Sequence, residues 1–230
     1  MRARTGYFIT FEGSEGAGKS TQIRRLASRL RRAGHRVIVT REPGVTSLGR
    51  RIRHLLQFSR AGQGMTEEAE LLLFGANRAQ HTREVILPAL RRGEIVISDR
   101  YADSSVVYQG VGRALGRGFV ERMNRFATGG LAPDLTFVLD LDPVEGLRRA
   151  RGKTRRADRM EAQKAAFYRL VREGFRGLAR AEPRRVKLVD ARAGIAEVAA
   201  RIEALLPARF RGGREKGARA APRQTVFPKE

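Results

Sequence analysis

Apolar residues in this chain fall into short runs that alternate with longer, helically spaced stretches. Tyr7–Phe11 has the pattern of a short buried strand and ends in a glycine-rich turn at Gly13–Gly18. Between Ser20 and Ala33 the apolar positions are Ile23, Leu26, Ala27 and Leu30, the spacing of one helix face. Gly34 ends that helix. Val37–Thr40 is a second strand, followed by the loop Arg41-Glu42-Pro43-Gly44. Arg50–Phe58 reads as helical. Thr66 is placed to cap a longer helix, with Glu67 and Glu68 in its first turn, where the dipole favours carboxylates. That helix is expected to run to about Leu90, with a kink near Pro88.

The alternation continues. Ile95–Ser98 is a third strand, with Asp99-Arg100-Tyr101 at its carboxyl end. Gly118–Thr128 reads as a helix, Leu135–Leu141 as a fourth strand, and Pro143–Arg149 as the start of another helix. Ala150–Asp158 is an Arg-rich, Gly-containing insertion. Arg159–Ala181 is a long helix, Val186–Val189 a fifth strand, and Gly194–Leu206 a final helix. Strand and helix in strict alternation predict an α/β fold with a five-stranded parallel sheet flanked by helices. From Pro207 the periodicity vanishes. Residues 1–206 are therefore expected to form one domain, with residues 207–230 a basic, disordered tail.

Composition narrows the class. The 230 residues include no Cys, which excludes a disulfide scaffold, a cysteine-bearing zinc finger and a thiol nucleophile. No apolar run approaches the length of a membrane span. The basic stretch Met1–Gly6 precedes an apolar run that stops at Glu12, too short for a secretory signal. A cytoplasmic protein with no membrane association is expected. The net charge of +23 points to an anionic partner, but it does not choose among nucleic acid, membrane surface and phosphorylated small molecules. Six of the 47 basic residues are Lys, so Arg supplies most of the charge, and a compositional bias towards Arg, Ala and Gly accounts for part of it.

One segment carries specific chemistry. Gly13-Ser14-Glu15-Gly16-Ala17-Gly18-Lys19-Ser20 fits G-x-x-x-x-G-K-[ST], with a strand before it and a helix after. Its glycines let backbone N–H groups turn inward around phosphate oxygens, and the following helix adds its positive end. Lys19 can neutralise β- and γ-phosphate charge, and the Ser20 hydroxyl can ligate Mg²⁺. The motif alone implies nucleotide binding, without distinguishing kinase, GTPase or translocase.

Four segments in order narrow it further. Phe11 through Thr21, Arg41-Glu42-Pro43-Gly44, Phe74-Gly75-Ala76-Asn77-Arg78, and Asp99 through Gln109 together resemble the motifs of thymidylate kinases. The resemblance spans about residues 5–206. It implies phosphorylation of dTMP to dTDP with ATP and Mg²⁺, for dTTP synthesis, by a homodimer. It assigns Gly13, Ser14, Glu15, Gly16, Ala17, Gly18, Lys19, Ser20 and Thr21 to ATP. Phe74 would stack on thymine, Arg78 would hydrogen-bond its edge, and Arg100 would meet the acceptor phosphate. Arg41, at the equivalent edge of the second strand, is a second phosphate candidate. Glu15 would face the acceptor sugar, and Tyr108 would crowd its 2′ position. Ser104, Ser105 and Gln109 are polar candidates around base and sugar. Asp99 would hold Mg²⁺ with Ser20, directly or through water, and Glu15 could also reach the metal.

Some members of the family carry an Arg immediately after the acidic residue of the phosphate loop. Here that position is Gly16, which places the chain with the bacterial type that supplies the Arg from a basic lid. The lid would span about residues 149–159, with Arg149, Arg151, Arg155, Arg156 and Arg159. Arg151, Arg155 and Arg156 are the candidates for stabilising the transferring phosphoryl group. The acceptor phosphate has a second pKa of about 6, so in-line transfer needs no general base. His35, His54 and His81 are scattered and receive no role. Two other readings remain at this point: a kinase for another nucleotide or nucleoside, and a P-loop ATPase using its basic surface on nucleic acid. No nucleic-acid recognition element is visible, so that partner is not expected.

Overall fold

The structure, a computed structural model, describes residues 5–151 and 165–211, without the side chains of residues 150, 151 and 165. Its centre is a five-stranded sheet: β1 Tyr7–Glu12, β2 Val37–Arg41, β3 Ile95–Asp99, β4 Leu135–Asp140 and β5 Val186–Asp190. The spatial order is β2-β3-β1-β4-β5 and every pairing is parallel, as the alternation predicts.

The helices are α1 Lys19–Arg32, α2 Ser47–Gln57, α3 Glu67–His81, α4 Leu87–Arg91, α5 Ala102–Ser105, α6 Arg117–Thr128, α7 Pro143–Arg151, α8 Ala165–Ala181, α9 Ile195–Ala204 and α10 Ala208–Arg211. They cover both faces, so the strands are buried on both sides and read as near-continuous apolar runs. The period of two still sorts them. Ile9, Phe11, Ile97, Phe137 and Leu139 face α1 and α9, whereas Phe8 and Val96 pack with Ile86, Leu90 and Tyr101 on the other face.

Three differences from the sequence expectations concern the helices. First, the long helix after Thr66 has no simple proline kink. Between α3 and α4 the ladder widens into a π-helical turn, Thr82–Ile86, just before Pro88. Proline has no N–H and its ring crowds the preceding turn, which the wider turn accommodates. Second, α5 continues into a π-helical turn, Val106–Gly112, in a stretch given no element from sequence. Adjacent Val106 and Val107, with Gly110 and Gly112, hide any helical period there. Third, packed structure extends past residue 206. Phe210 of α10 is buried against Tyr7 and His35, with ring centroids 4.9 and 5.4 Å away. Arg29 Nη1 donates to the Phe210 carbonyl at 2.8 Å. One aromatic among Arg and Gly anchors this turn, and one position makes no period. The rest of the expected tail, residues 212–230, lies outside the described residues. So do residues 152–164, which hold most of the expected lid, and α8 is described only from Ala165.

The chain leaves β1 for α1 and β2, and β3 then inserts between β2 and β1. The carboxyl ends of β1 and β3 thus lie side by side, with Phe11 opposite Asp99. In open α/β sheets ligands gather at that edge. The same edge carries the phosphate loop after β1 and Asp99-Arg100 after β3.

Candidate active site

A cavity of about 690 Å³ opens at this edge. Its walls include the phosphate loop from Glu15 through Thr21, together with Arg41, Phe74, Asp99, Arg100, Ser104, Ser105, Tyr108 and Gln109. These candidates, from four separate stretches of chain, share one space, whereas Gly13, Ser14 and Arg78 do not line it.

The phosphate loop turns through positive φ at Gly13, Gly16 and Gly18 (123°, 71° and 91°). Gly18 then caps α1 in the left-handed conformation. Gly16 is also constrained by space: a Cβ there would stand 1.9 Å from the Gly146 carbonyl oxygen. The backbone of α7 lies directly on the loop, so no side chain fits at residue 16 without moving it. The absence of an Arg at this position is thus built into the packing.

Lys19 is buried and folds back across its own loop. Its Nζ donates to the Gly13 and Ser14 carbonyls at 3.0 and 2.9 Å. Burial lowers its pKa, and the nearby Arg100 charge adds to that, while Glu15, Asp99 and Glu12 oppose it. The Ser20 hydroxyl donates to Asp99 Oδ2 at 3.2 Å. A hydroxyl and a carboxylate converging at the start of α1 are hard oxygen donors of the kind Mg²⁺ takes with phosphate and water. Among the described residues no three His, Cys, Asp or Glu cluster into an all-protein metal cage. The residues present fit an ion that is carried in largely by phosphate oxygens and waters.

Arg100 occupies the centre. Its Nη2 pairs with Glu15, its Nη1 donates to the Ser104 hydroxyl at 3.2 Å, and its guanidinium lies 5.1 Å from the Tyr108 ring centroid. Burial opposes its charge, but Tyr108, Glu15, Glu12 and Asp99 together raise its pKa well above the usual value. It remains a fixed cation at the boundary between the phosphate loop and the β3 edge. Tyr108 is buried against Phe167 and Phe175, and burial raises its hydroxyl to about 12, so it stays neutral.

Arg78 differs from its expectation. It lies on the same face of α3 as Phe74, yet it does not line the cavity. It is 1% exposed, and its Nε donates to Glu42 Oε2 at 2.9 Å. Nη1 donates to Asn124 Oδ1, and Nη2 donates to both the Tyr101 carbonyl and the Ser105 hydroxyl. Helical spacing gives the face, but it does not reveal that α6 packs over that face and supplies Asn124. The structure therefore sets Arg78 beneath the cavity, where it braces Ser105, a wall residue.

The lid candidates divide. Arg149 lines the cavity and reaches the Ala191 carbonyl at 3.4 Å while pairing with Glu145. The backbone of Arg151 ends α7. The side chain of Arg151, and all of Arg155, Arg156 and Arg159, fall outside the described residues.

Several wall residues were not anticipated. Arg53 and Gln57 come from α2, one turn apart, and Glu42 and Pro43 from the loop after β2. Ala191, Ala193, Ile195 and Val198 form an apolar end beside Arg149. Glu42 lay within a quoted motif and could have been found there. Pro43 lay in the same motif, and the others carry no local signal.

Comparison with known proteins agrees with this geometry. The family model described as thymidylate kinase matches residues 11–202. A thymidylate kinase of Geobacter sulfurreducens is 47% identical over 206 residues, covering 87% of this chain and 96% of that protein. One from Deinococcus radiodurans is 52% identical over 186 residues, covering 81% and 89%. A crystal structure of thymidylate kinase from Ehrlichia chaffeensis superposes with a TM-score of 0.68 at 33% identity, covering 86% of this chain and 96% of that one. Sequence, fold and cavity converge: this chain belongs to the thymidylate kinase family, whose reaction is the ATP-dependent phosphorylation of dTMP to dTDP.

Proposed function

We propose that this cavity carries out in-line phosphoryl transfer between ATP on the phosphate loop and dTMP along the β3 edge. The observation that carries the reading is the Arg100–Glu15 pair, which joins the acceptor-side cation to the donor loop within one cavity. Gly13 through Thr21 would hold the ATP phosphates, with Lys19 leaving its loop carbonyls for phosphate oxygens. Arg100 and Arg41 would hold the acceptor phosphate. Phe74 would stack on thymine, a contact worth about 1–3 kcal/mol when bases stack on aromatic side chains. Ser104, Ser105 and Gln109 would meet base and sugar, and Tyr108 would crowd the 2′ position. Arg78 would act on the base from beneath, chiefly by fixing Ser105.

Ser20 and Asp99 would hold Mg²⁺, with Glu15 within reach of it. The ion supplies charge neutralisation between the donor phosphates. The acceptor is already ionised at neutral pH, so the protein's task is positioning and charge stabilisation rather than proton removal. An Arg arriving from residues 149–159 would complete the charge around the transferring group and exclude water. Turnover across a panel of nucleoside monophosphates tests the assignment: dTMP is expected to exceed UMP, AMP and GMP strongly. Faster turnover of any of those three would contradict it. So would ATP hydrolysis stimulated by nucleic acid and lost steeply with salt.

The same reading makes the chain a cytoplasmic homodimer. Supporting the dimer, Leu48, Leu55 and Phe58 of the α2 region, Leu72 of α3, and Phe119 and Phe126 of α6 are exposed on helices that pack side by side. Exposed apolar patches of this kind mark interaction surfaces. Among the described residues no helix is long and apolar enough to cross a membrane. Sedimentation should give twice the chain mass, and a monomer at micromolar concentration would contradict the dimer.

A further inference from the structure

Glu12 is a buried charged group with no part in the transfer proposed for the cavity. It ends β1, immediately before the phosphate loop, and is completely enclosed. Its Oε1 accepts the Tyr101 N–H at 2.8 Å, and its Oε2 accepts the Ser104 hydroxyl. Ser104 in turn accepts from Arg100 Nη1, which lies 4.0 Å from Glu12 Oε2. One carboxylate therefore reaches Arg100 by a direct charge contact, through a hydroxyl, and through the next backbone amide.

The backbone it grips is an unusual one. Arg100 has φ of 69°, a left-handed conformation that a side chain with a Cβ rarely adopts. The turn is stapled at three points. The Arg100 N–H donates to the Phe11 carbonyl at 2.9 Å, the Arg100 carbonyl accepts the Ser98 hydroxyl at 2.7 Å, and Glu12 holds the Tyr101 N–H. Such conformations persist where the surroundings over-determine them, commonly at functional sites. A buried carboxylate is a costly staple. Burial pushes the Glu12 carboxyl up to about 7, Arg100 offsets part of that, and Asp103 adds to it. Lys19 and Tyr108 also feel its charge.

We propose that Glu12 is the positioning residue of the acceptor-phosphate site, fixing the Arg100 guanidinium through Ser104 and the Tyr101 amide. The proposal rests on the assignment of Arg100 to the acceptor phosphate. Its two edges then have separate duties. The Nη1 edge is anchored by Ser104 and Glu12. The Nη2 edge, held by Glu15 here, is the one a monophosphate takes over, releasing Glu15 towards the acceptor sugar.

Steady-state kinetics of Glu12→Gln, Glu12→Ala, Arg100→Ala and the Glu12→Gln/Arg100→Ala double variant test this. Glu12→Gln should raise KM for dTMP by about tenfold, the scale of one charge-assisted hydrogen bond, while KM for ATP stays within about twofold. Its thermal midpoint at pH 8 should be no lower than that of the unmodified protein. Glu12→Ala should be worse for dTMP, and if it does not fold, the Gln variant alone decides. In the double variant the Glu12 change should add nothing, because the group it positions is gone. A normal KM for dTMP in Glu12→Gln, beside a raised one in Arg100→Ala, would overturn the proposal alone. Equal losses for ATP and dTMP with a lowered thermal midpoint would also overturn it, as a purely structural role. A normal KM for dTMP in Arg100→Ala would overturn the Arg100 assignment, and the proposal with it.

Discussion

At the scale of single residues, the site is a set of charges held in place by burial. Among the described residues Lys19 hydrogen-bonds only carbonyls of its own loop, so removing it should leave the fold intact. Lys19→Ala is expected to lower kcat by at least about 10²–10³-fold, the scale of a lost preorganised charge donor, with an unchanged circular dichroism spectrum. Near-normal turnover would remove Lys19 from the mechanism. Glu12 gives a pH signature. Its carboxyl rises from the ordinary 4.5 to about 7 in the fold, chiefly through burial. A raised folded value stabilises the protein fully below the unfolded value, and that stability is lost as pH rises through about 7. Glu12→Gln, neutral throughout, should therefore gain thermal midpoint over the unmodified protein at pH 8 and show little gain at pH 4.5. The reverse order would contradict the burial argument. At this scale the sequence was most informative where a motif fixes backbone geometry, as in the phosphate loop. It was least informative where a role depends on what lies opposite. Arg78 is an ordinary Arg until Glu42 and Asn124 close around it, and Gln57 becomes a wall residue only once α2 is docked.

At the scale of elements, two backbones approach each other closely beside the site. Gly16 of the phosphate loop meets Gly146 of α7, and a Cβ on Gly146 would lie 2.4 Å from the Glu15 carbonyl oxygen. The helix leading into residues 152–164 thus rests directly on the loop that would hold ATP. Gly146→Ala should push them apart, lowering kcat and raising KM for ATP, with a stability loss of about 1–3 kcal/mol in denaturant unfolding. Unchanged ATP kinetics would show that this contact is incidental. The carboxyl-terminal turn offers a second test. Phe210→Ala should cost about 3 kcal/mol, as for other buried aromatics. Equal stability of Phe210→Ala and the unmodified chain would mean that α10 contributes nothing. All five strands were legible as short apolar runs, and the helices with a clear apolar stripe from their period. The two π-helical turns were not, because they break the 3.6-residue period that identifies a helix. One of them carries Tyr108 and Gln109, so the least legible element lines the cavity.

At the scale of the whole molecule, the parallel sheet explains why distant motifs act together. Strand order β2-β3-β1-β4-β5 brings the carboxyl ends of β1 and β3 side by side, and the phosphate loop and Arg100 follow from that placement. The alternation of strands and helices predicted the parallel sheet, but the order that makes the cavity belongs to tertiary packing. The net charge of +23 pointed to an anionic partner without choosing nucleic acid over phosphorylated small molecules. Pairs such as Arg100 with Glu15, Arg78 with Glu42 and Arg185 with Asp103 are neutral and contribute none of it, whereas residues 148–159 carry seven Lys and Arg against one Asp. The central claim is that one cavity transfers phosphate from ATP to deoxythymidylate. ADP release measured with dTMP, dUMP, UMP, AMP and GMP at equal concentration, with ATP and Mg²⁺ saturating, tests it most directly. The account predicts dTMP as the best acceptor by a wide margin, with UMP suppressed by its 2′-hydroxyl against Tyr108. Turnover of UMP, AMP or GMP equal to or above that of dTMP would contradict it.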